Sequence, residues 1–463
     1  MKETKKQYDF VIIGSGPAGS LLAWNLANDN FKVAIIDRAT NIKTSNDRDS
    51  FIFNPYINKS PNYYTPLFSN QLGGNGALWN SKISLITKEE FITGKWPFNY
   101  EELLTYSKNL AKKLDLDHEK ISYVKDFKNM KFSRSTRAKK LGNLYFTLKI
   151  ADHKNIDTFQ SSSPISIDSY IDCVKKINIK NNKQEIFELE INKALVFCAG
   201  GLGNPHILKN LLKNPNTLIG KKLSDHSHIN IGNLSKKDIL EFFKFSKYFI
   251  NKSEQMDEDT LFMSLKNYFV GFQVDFSQDP SRILKRLFIK SRSFLSKKVL
   301  SLLIKYYSLF LKTLSLLKIR GKYSYELFFS QNQCLNNSIE LDSNSTDEFG
   351  LIKSNINWKF SQDEIDTYNH LINKLISKEG LLLKTNDLFK FNKDKIMAGL
   401  HPSCTTQIDN GNNPGCVDKN LKLKEFKNIF INGSSVFANN GFTNPTWTIM
   451  VLSNRLSDYL RNL

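Results

Sequence analysis

The sequence predicts an α/β protein with a doubly wound, largely parallel sheet and an inserted α+β domain built on an antiparallel sheet. Two observations predict the parallel sheet: an apolar strand runs into glycines near residue 14, and the same strand–glycine–helix order returns near residue 200. A third observation predicts the antiparallel sheet, because residues 325–358 hold short apolar runs with an Asp-Glu-Phe-Gly turn. A chain of 463 residues is long for one core, so more than one domain is expected.

The first strand and its glycines form the segment YDFVIIGSGPAG, which begins at residue 8. Gly14 allows a tight turn, Gly16 lets the backbone approach a pyrophosphate, and Gly19 lets the following helix pack close to the strand. A second apolar strand ends at Asp37, where a ribose-binding carboxylate is expected. The pattern predicts a dinucleotide site with its phosphates at the helix N-terminus. A glycine-rich turn in another α/β fold would explain the glycines but not the flanking strands and the acid.

The remaining elements follow from two patterns: leucines at helical spacing predict helices, and apolar runs bounded by turn residues predict strands. Helices are expected at residues 99–116, 202–212 and 361–379 and after residue 444, and strands are expected within 164–191, 193–201, 219–232 and 428–435. Residues 71–80 (QLGGNGALWN) form a flexible turn whose backbone can approach a flat ligand closely.

The positive charge is concentrated in one segment. The chain has a formal net charge of +20, and residues 281–325 contain twelve Lys or Arg and no Asp or Glu. Nucleic-acid binding is not expected, because the charge lies in this one segment and no reader motif accompanies it. Lys298, Lys305 and Lys312 are seven residues apart, which predicts amphipathic helices with a basic face near 281–322. Two interpretations stay open: helices packed on their own domain, or helices lying on an anionic membrane surface.

Cysteines and the N-terminus indicate a compartment. The five cysteines have no close pair and no metal-ligand spacing, so a reducing compartment fits better than a disulfide framework, and no metal site is expected. The N-terminal residues are polar and lead directly into the first strand, which leaves no room for a signal peptide. We therefore expect a cytoplasmic protein, or one peripheral to the inner membrane face if the basic helices bind lipid.

The C-terminal block carries the candidates for chemistry. His401 lies between small residues and hydroxyl side chains, and histidine is the usual side chain for proton transfer near neutral pH. Spacing alone, however, favours a structural role for a lone histidine. Asn444 precedes Pro445 at the predicted start of the last helix, and its amide can donate and accept hydrogen bonds to orient a hydroxyl group. His226 and His228 are predicted to be hydrogen-bonded structural residues.

Taken in chain order, these motifs resemble the glucose–methanol–choline (GMC) family of FAD-dependent oxidoreductases, most strongly its small bacterial members. The likeness runs through VIIGSGPAG, LGGNGALWN, WPFNYEELLTYS, ALVFCAGGLGNPHIL, IGKKLSDHSH and the C-terminal block from HPSCTTQID to LSNRLSDYL. The resemblance implies an FAD-binding Rossmann-like domain made of residues 1–90, 161–235 and 395–463. Residues 91–160 and 236–394 would then form the substrate-binding domain.

The site residues of the family carry over to the positions that match its motifs. The resemblance implies that His401 is the catalytic histidine and that Asn444 is its partner. It places FAD contacts at Gly14, Gly16, Gly19, Asp37, Gly74, Asn75, Val174, Gly200, Gly433, Ser434 and Pro445, with the backbone of Val174 meeting the adenine. Two departures matter. Asn432 stands where many members carry an acid, and QLGGNGALWN lacks the histidine to which some members attach FAD, so FAD should be noncovalent.

The activity that the resemblance implies is oxidation of an alcohol. His401 would take the proton from the hydroxyl group of a sugar, polyol or other CH–OH donor, and the hydride would pass to flavin N5. We expect a dehydrogenase with an unnamed electron acceptor rather than an oxidase, because peroxide production in the cytosol is a liability. Two alternatives stay open: a membrane-surface flavoenzyme acting on a lipid or lipid-linked sugar, and a non-redox or photochemical member of the same fold.

Overall fold

The computed structural model describes residues 6–39, 50–53, 69, 71–79, 81–127, 130–233, 259–265, 268–275, 324–331, 334–376 and 401–463. The basic helices predicted near 281–322 lie outside the described residues. Within the described ranges, no helix combines the length and the apolar character that crossing a bilayer requires.

The strands and helices are numbered here in chain order. The strands are β1 (Lys6–Ile13), β2 (Val33–Ile36), β3 (Phe51–Phe53), β4 (Lys82–Ile83), β5 (Val124–Phe127), β6 (Met130–Arg134), β7 (Thr136–Arg137), β8 (Ile156–Phe159), β9 (Ser162–Tyr170), β10 (Cys173–Asn181), β11 (Ile186–Phe197), β12 (Ser227–Asn233), β13 (Asp259–Leu265), β14 (Tyr268–Asp275), β15 (Ser324–Phe329), β16 (Ser338–Thr346), β17 (Ile352–Asn357) and β18 (Ile429–Ile431). The helices are α1 (Pro17–Asn28), α2 (Lys88–Gly94), α3 (Tyr100–Lys113), α4 (His118–Ile121), α5 (Leu144–Thr147), α6 (Gly200–Leu211), α7 (Gln362–Ile376) and α8 (Pro445–Arg461).

The main sheet has the strand order β8-β2-β1-β11-β10-β9, and β18 also pairs with β11. The parallel strands of this sheet are β8, β2, β1, β11 and β18. The antiparallel part is a meander of β9, β10 and the first half of β11. Phe10, Val11 and Ile12 of β1 have no exposed surface, as expected for a parallel strand covered on both faces. The predicted Rossmann-like α/β domain is confirmed.

The turn from β1 into α1 explains two of the glycines. Gly14 has φ +104°, a conformation that L side chains rarely adopt. A Cβ atom at Gly19 would overlap the carbonyl oxygen of Gly14, so a side chain there would force the helix away from the strand. Pro17 occupies the first turn of α1, where its missing N–H costs no helical hydrogen bond. The N-terminus of α1 is therefore held at the carboxyl end of β1.

Much of residues 91–160, which were predicted to belong to the substrate domain, packs with the main sheet. β8 is hydrogen-bonded to β2 at the edge of the main sheet. α3 packs on α8, where the indole N–H of Trp447 donates to the Ser107 hydroxyl at 2.8 Å. Leu103 and Leu110 of α3 are buried in the same core as β1. Within this region, β5 and β6 join a different sheet, and the main-sheet domain is correspondingly larger than predicted.

The second sheet is antiparallel, with the strand order β12-β15-β14-β13-β6-β5. This confirms the antiparallel sheet predicted for the inserted domain. α7 packs against the sheet through Tyr368, whose ring lies 5.7 Å from that of Tyr268 and whose hydroxyl donates to the carbonyl of Ser330. β12 begins directly after His226, so one edge of this sheet starts beside that residue.

A small third sheet has the strand order β16-β17-β3. β3 pairs in parallel with β17, and β16 and β17 form the predicted hairpin. Asp347 begins the Asp-Glu-Phe-Gly turn, where its carboxylate accepts the backbone N–H groups of Phe349 at 3.0 Å and Leu351 at 2.9 Å. Gly350 has φ +85°, which explains the glycine at the fourth turn position.

Candidate active site

A cavity of about 550 Å³ opens at the carboxyl ends of β1, β2, β11 and β18. Ligands of open α/β sheets bind at this end, where the strand-to-helix loops meet. Among the residues predicted from sequence, the lining includes Gly14, Gly16, Asp37, Gly74, Asn75, Gly200, His401, Gly433, Ser434, Asn444 and Pro445. Gly19 and Val174 are not part of the lining. The predicted nucleotide motif and the predicted histidine–asparagine pair therefore share one cavity.

Two glycine-rich turns meet in the cavity wall. The Ser15 hydroxyl accepts the backbone N–H of Gly73 at 2.8 Å, which joins the first turn to the turn at residues 71–77. Gly16 has φ −60°, which any residue can adopt, and the nearest protein atom to a Cβ placed there would be 4.0 Å away. The protein therefore leaves room beside the Gly16 backbone, and that backbone lines the cavity.

Asp37 lies just after β2, with its carboxylate against the first glycine turn. Its Oδ2 accepts the backbone N–H of Ser15 at 2.6 Å, and its Oδ1 accepts that of Ala39 at 2.8 Å. Burial raises the pKa of Asp37, while these hydrogen bonds and the Arg38 charge act in the opposite direction. The two hydrogen bonds fix the carboxylate in the cavity wall, where an oxygen lone pair can accept a ribose hydroxyl.

The structure does not bring Val174 to the cavity. Val174 is fully buried in β10, where its N–H donates to the Asn428 side chain and its C=O accepts from it, both at 2.8 Å. Its peptide groups are thus engaged away from the ligand site. Ser162 and Pro164 at the start of β9 line the cavity instead, and the Ser162 N–H donates to the Asp37 carbonyl at 3.0 Å. The sequence analysis did not predict Ser162 and Pro164 as lining residues because it did not identify β8, the strand that directly precedes them.

Asn432 supports the turn that contains Gly433 rather than facing the cavity. Its Oδ1 accepts the backbone N–H of Gly433 at 2.8 Å, and its Nδ2 donates to the Ser453 hydroxyl at 2.7 Å. Asn432 is fully buried, and Gly433 has φ +119°. A neutral amide suits this position because it must both accept and donate, which an ionised carboxylate cannot do.

His401 and Asn444 come from different segments of the C-terminal block. The backbone N–H of His401 donates to Oδ1 of Asp225 at 2.9 Å. Asn444 is the residue that precedes the first turn of α8, and its side chain makes no capping hydrogen bond to that helix. Pro445 fixes the start of α8, whose N-terminus is the positive end of the helix dipole. An asparagine at this place can hydrogen-bond a ligand in the cavity.

His226 contacts His401, which the sequence did not predict. Its Nε2 lies 2.6 Å from Nδ1 of His401, and 2% of its surface is exposed. The two histidines are 175 residues apart in the chain, so no spacing rule could pair them. The available signal was the Asp225-His226 pair in IGKKLSDHSH, a segment that was matched to a family motif but given no role at the site.

Buried Glu90 holds the loop that precedes Asn444. Its Oε1 accepts the backbone N–H of Thr443 at 3.0 Å, and its Oε2 accepts the Thr443 hydroxyl at 2.6 Å. The same carboxylate accepts the N–H and hydroxyl of Thr87 at the start of α2, both at 2.9 Å, in a capping box. Burial raises the pKa of Glu90, and these hydrogen bonds act against the rise. The Thr-Lys-Glu-Glu sequence predicts the cap but not the contact with Thr443, which is 353 residues away.

A buried polar cluster forms another part of the cavity wall. Arg38, Ser50 and His206 line the cavity. Asp347, from the β16–β17 hairpin, pairs with the Arg38 guanidinium at 2.8 Å and accepts the Ser50 hydroxyl at 2.9 Å. Nε2 of His206 lies 3.8 Å from the same carboxylate. The small sheet is thereby tied to the residue that follows Asp37.

Replacing Asp347 with asparagine should lower the free energy of unfolding. It should also make that free energy depend less on pH in acid. Burial alone would raise the pKa of Asp347, but His206, the Arg38 guanidinium and hydrogen bonds from Ser50 and the backbone hold it well below its usual value. The ionised carboxylate therefore stabilises the folded state above the unfolded pKa of about 3.9, and this contribution is lost as the pH falls below that value. We expect Asp347→Asn to cost about 2 kcal/mol at neutral pH in urea unfolding.

The control for this prediction is Asp342→Asn on the same hairpin. Asp342 is half-buried and hydrogen-bonded to the neighbouring Ser345 at 2.8 Å. We expect the control to keep the decline of wild-type stability between about pH 5 and pH 2, and Asp347→Asn to show a shallower decline. Equal slopes in the wild type and Asp347→Asn would contradict the assignment.

The fold is Rossmann-like, and its cavity lies at the carboxyl ends of the parallel strands, where dinucleotides bind in such folds. Residues 336–453 match the family model described as GMC oxidoreductase, and residues 12–71 match the model described as an NAD(P)-binding Rossmann-like domain. The first match contains Asn444 and the second contains the glycine turn. Residues 336–453 are therefore similar to the GMC oxidoreductase family, in agreement with the resemblance of the sequence motifs.

Similar proteins cover parts of the chain in sequence and all of it in structure. The chain is 27% identical over 126 residues to 2-methyl-1,2-propanediol dehydrogenase of Mycolicibacterium austroafricanum, which is 27% of this chain and 22% of that protein. It is 51% identical over 37 residues to geranylgeranyl diphosphate reductase of Rhodobacter capsulatus, 8% of this chain and 10% of that protein. These matches span about a fifth and a tenth of those relatives.

Two variant structures of Aspergillus oryzae formate oxidase, concerned with FAD modification, share the fold. Their TM-scores are 0.59 and 0.60, each at 12% identity, over 100% of this chain and 99% of the other.

Proposed function

We propose that this chain binds FAD noncovalently in the cavity and oxidises the CH–OH group of an alcohol, such as a sugar or polyol, to a carbonyl. The observation that carries the proposal is that Gly16, Asp37, His401 and Asn444 line the same cavity. One sequence relative is named as a dehydrogenase of 2-methyl-1,2-propanediol, which supports an alcohol as the substrate class.

The residues of the cavity fit a flavin dinucleotide. Gly16 leaves space beside its backbone, α1 has no acidic residue in its first turn, and its N-terminal N–H groups favour a pyrophosphate there. Asp37 would hold the ribose, and Gly74 and Asn75 would lie along the ring system. The cavity volume falls within the range of about 300–1,000 Å³ typical of cofactor and ligand sites. Bound in this cavity, FAD supplies the acceptor for a hydride.

His401 would act as the general base at the substrate hydroxyl. Because Nδ1 of His401 is hydrogen-bonded to His226, Nε2 would be the nitrogen that accepts the substrate proton. The Asn444 amide would donate to the same substrate oxygen and stabilise the negative charge that develops as its proton leaves. The N-terminus of α8 adds a positive dipole end behind Asn444. Together these groups orient the hydroxyl and remove its proton.

Noncovalent binding is proposed because the turn QLGGNGALW offers no histidine, cysteine or tyrosine. Cys198 lines the cavity, but burial raises the pKa of its thiol, so it stays protonated near neutral pH and is a poor nucleophile. Acid precipitation of the purified protein tests this mode of binding. Flavin released into the supernatant supports it, and a yellow pellet with a colourless supernatant overturns it.

The proposed activity is tested by anaerobic mixing of the flavin-loaded protein with sugars, polyols and long-chain alcohols. Bleaching of the flavin absorbance by one of these classes supports alcohol oxidation and identifies the substrate type. A bound flavin that none of them bleaches counts against it. We further propose a dehydrogenase, since an oxidase would release peroxide inside the cell. Fast reoxidation by a quinone dye with slow reaction with oxygen would support this, and stoichiometric hydrogen peroxide would overturn it.

A further inference from the structure

His226 is buried against the proposed base. Its Nε2 lies 2.6 Å from Nδ1 of His401, and the ring centroids are 4.3 Å apart with an interplanar angle of 67°. We infer that His226 is a positioning residue that fixes the tautomer of His401 and shares the charge that His401 acquires from the substrate proton. The inference rests on the proposed function, because it concerns the same base.

Backbone contacts hold the two histidine segments together independently of their rings. The N–H of Ser403 donates to the carbonyl of Ser224 at 2.9 Å, and the N–H of Ser224 donates to the carbonyl of Ser403 at 3.2 Å. Beside this bridge, the Asp225 carboxylate accepts the backbone N–H of His401 at 2.9 Å. Replacing the His226 ring should therefore leave the His401 backbone in place, so that a variant reports on the contact between the rings.

The antiparallel sheet bounds the other side of His226. The His226 ring meets Phe328 of β15 edge to face, with centroids 6.3 Å apart and an interplanar angle of 88°. This contact is apolar and depends on the shape of the ring. A leucine at position 226 can keep the packing on Phe328 while removing the hydrogen bond to His401. The two functions of the side chain can therefore be separated by substitution.

The short distance limits where the hydrogens can be. Two nitrogens 2.6 Å apart must share one hydrogen, because two lone pairs or two N–H groups would repel at that distance. The hydrogen belongs either to Nδ1 of His401 or to Nε2 of His226. Only the first arrangement leaves a lone pair on Nε2 of a neutral His401, which a general base requires. His226 then accepts with Nε2 and carries its own hydrogen on Nδ1.

The same arrangement gives a balanced proton path. As the substrate O–H bond breaks, an N–H bond would form at Nε2 of His401, and bound FAD would accept the hydrogen of the carbinol carbon with its electron pair as hydride. His401 becomes positively charged. The hydrogen bond from its Nδ1 to His226 stabilises that charge, and the shared hydrogen can move across to His226. The imidazole pair thus spreads one positive charge over two rings.

The kinetic test compares the wild type with His226→Leu and His226→Gln. Leucine keeps the apolar packing, whereas the glutamine side-chain oxygen can accept the hydrogen from Nδ1 of His401. We expect His226→Leu to slow the limiting rate of anaerobic flavin reduction by about tenfold to hundredfold with KM changed by less than about threefold. We expect His226→Gln to recover most of the rate, with flavin content and Tm alike in all three. Equal slowing in both variants, or no slowing in either, overturns the inference.

Nitrogen NMR of protein carrying isotope-labelled histidine gives a second readout that needs no turnover. We expect His401 to be protonated at Nδ1 in the wild type and His226→Gln, and at Nε2 in His226→Leu. The His401 signals are identified by their loss in His401→Ala. The same tautomer in all three proteins overturns the inference. Failure of the proposed function would appear separately, as a wild-type flavin that no alcohol bleaches, and the tautomer result then decides the role of His226.

Discussion

Replacing His401 with alanine should leave FAD bound and slow its anaerobic reduction by the substrate by roughly two to four orders of magnitude, the scale of general-base catalysis. The physical reason is that the alcohol must lose its proton as the hydride leaves, and alanine cannot accept it. Under the proposed mechanism, the Asn444 amide and the N-terminus of α8 would still orient the substrate in this variant. We therefore expect the rate of flavin reduction to fall much more than substrate binding weakens. Stopped-flow measurement of the flavin absorbance separates the two.

The matched control is His370→Ala. His370 is exposed on α7 and lies outside the residues that line the cavity. This variant should reduce its flavin at the wild-type rate. If His401→Ala and the control are reduced equally fast by the true substrate, His401 is not the base, and the tautomer of His401 has no bearing on catalysis.

The site is built from segments that the inserted antiparallel sheet brings together. The chain leaves the main-sheet domain through Asp225 and His226 into β12, and it returns at His401. Two backbone hydrogen bonds between Ser224 and Ser403 join these two segments. Each segment contributes one histidine, His226 from the first and His401 from the second. Glu90 then fixes the loop before Asn444 from the opposite side.

The sequence predicts the main-sheet domain well because its signals are local. Gly14, Gly16 and Gly19 lie within six residues, and their spacing reflects one turn between one strand and one helix. The apolar run of β1 and the acid after β2 belong to the same short unit. The cavity-lining role of Asp37 and of the C-terminal residues follows once the carboxyl ends of the parallel strands meet.

Other features could not be predicted because they depend on long-range pairing. β8 has only four residues, and its place in the main sheet is decided by β2, which lies far away in the chain. α3 is amphipathic, but its pattern does not say which core it covers, and the structure places it on α8. His226 was interpreted as structural since a buried histidine alone carries no information about its partner. Val174 was assigned to the adenine from the family resemblance alone, and such a carry-over does not show that the Asn428 side chain engages the backbone of Val174.

Substituting Gly16 and Gly19 separately should distinguish ligand contact from protein packing. A Cβ atom at Gly16 meets no protein atom closer than 4.0 Å, and the φ of −60° suits alanine. We therefore expect Gly16→Ala to cost about 1 kcal/mol or less in the stability of the apoprotein. The added methyl group would occupy the space proposed for the pyrophosphate. FAD affinity should consequently fall by about tenfold or more, which corresponds to about 1.4 kcal/mol.

Gly19→Ala should show the opposite pattern. Its Cβ atom would overlap the carbonyl oxygen of Gly14, so α1 must shift away from β1 whether or not a ligand is present. We expect a loss of about 3 kcal/mol in apoprotein stability, measured by urea unfolding. FAD titration of each apoprotein, followed by flavin fluorescence, then gives the affinities. If Gly16→Ala binds FAD as tightly as the wild type, the pyrophosphate does not rest on the Gly16 backbone, and the cavity holds its cofactor by other contacts.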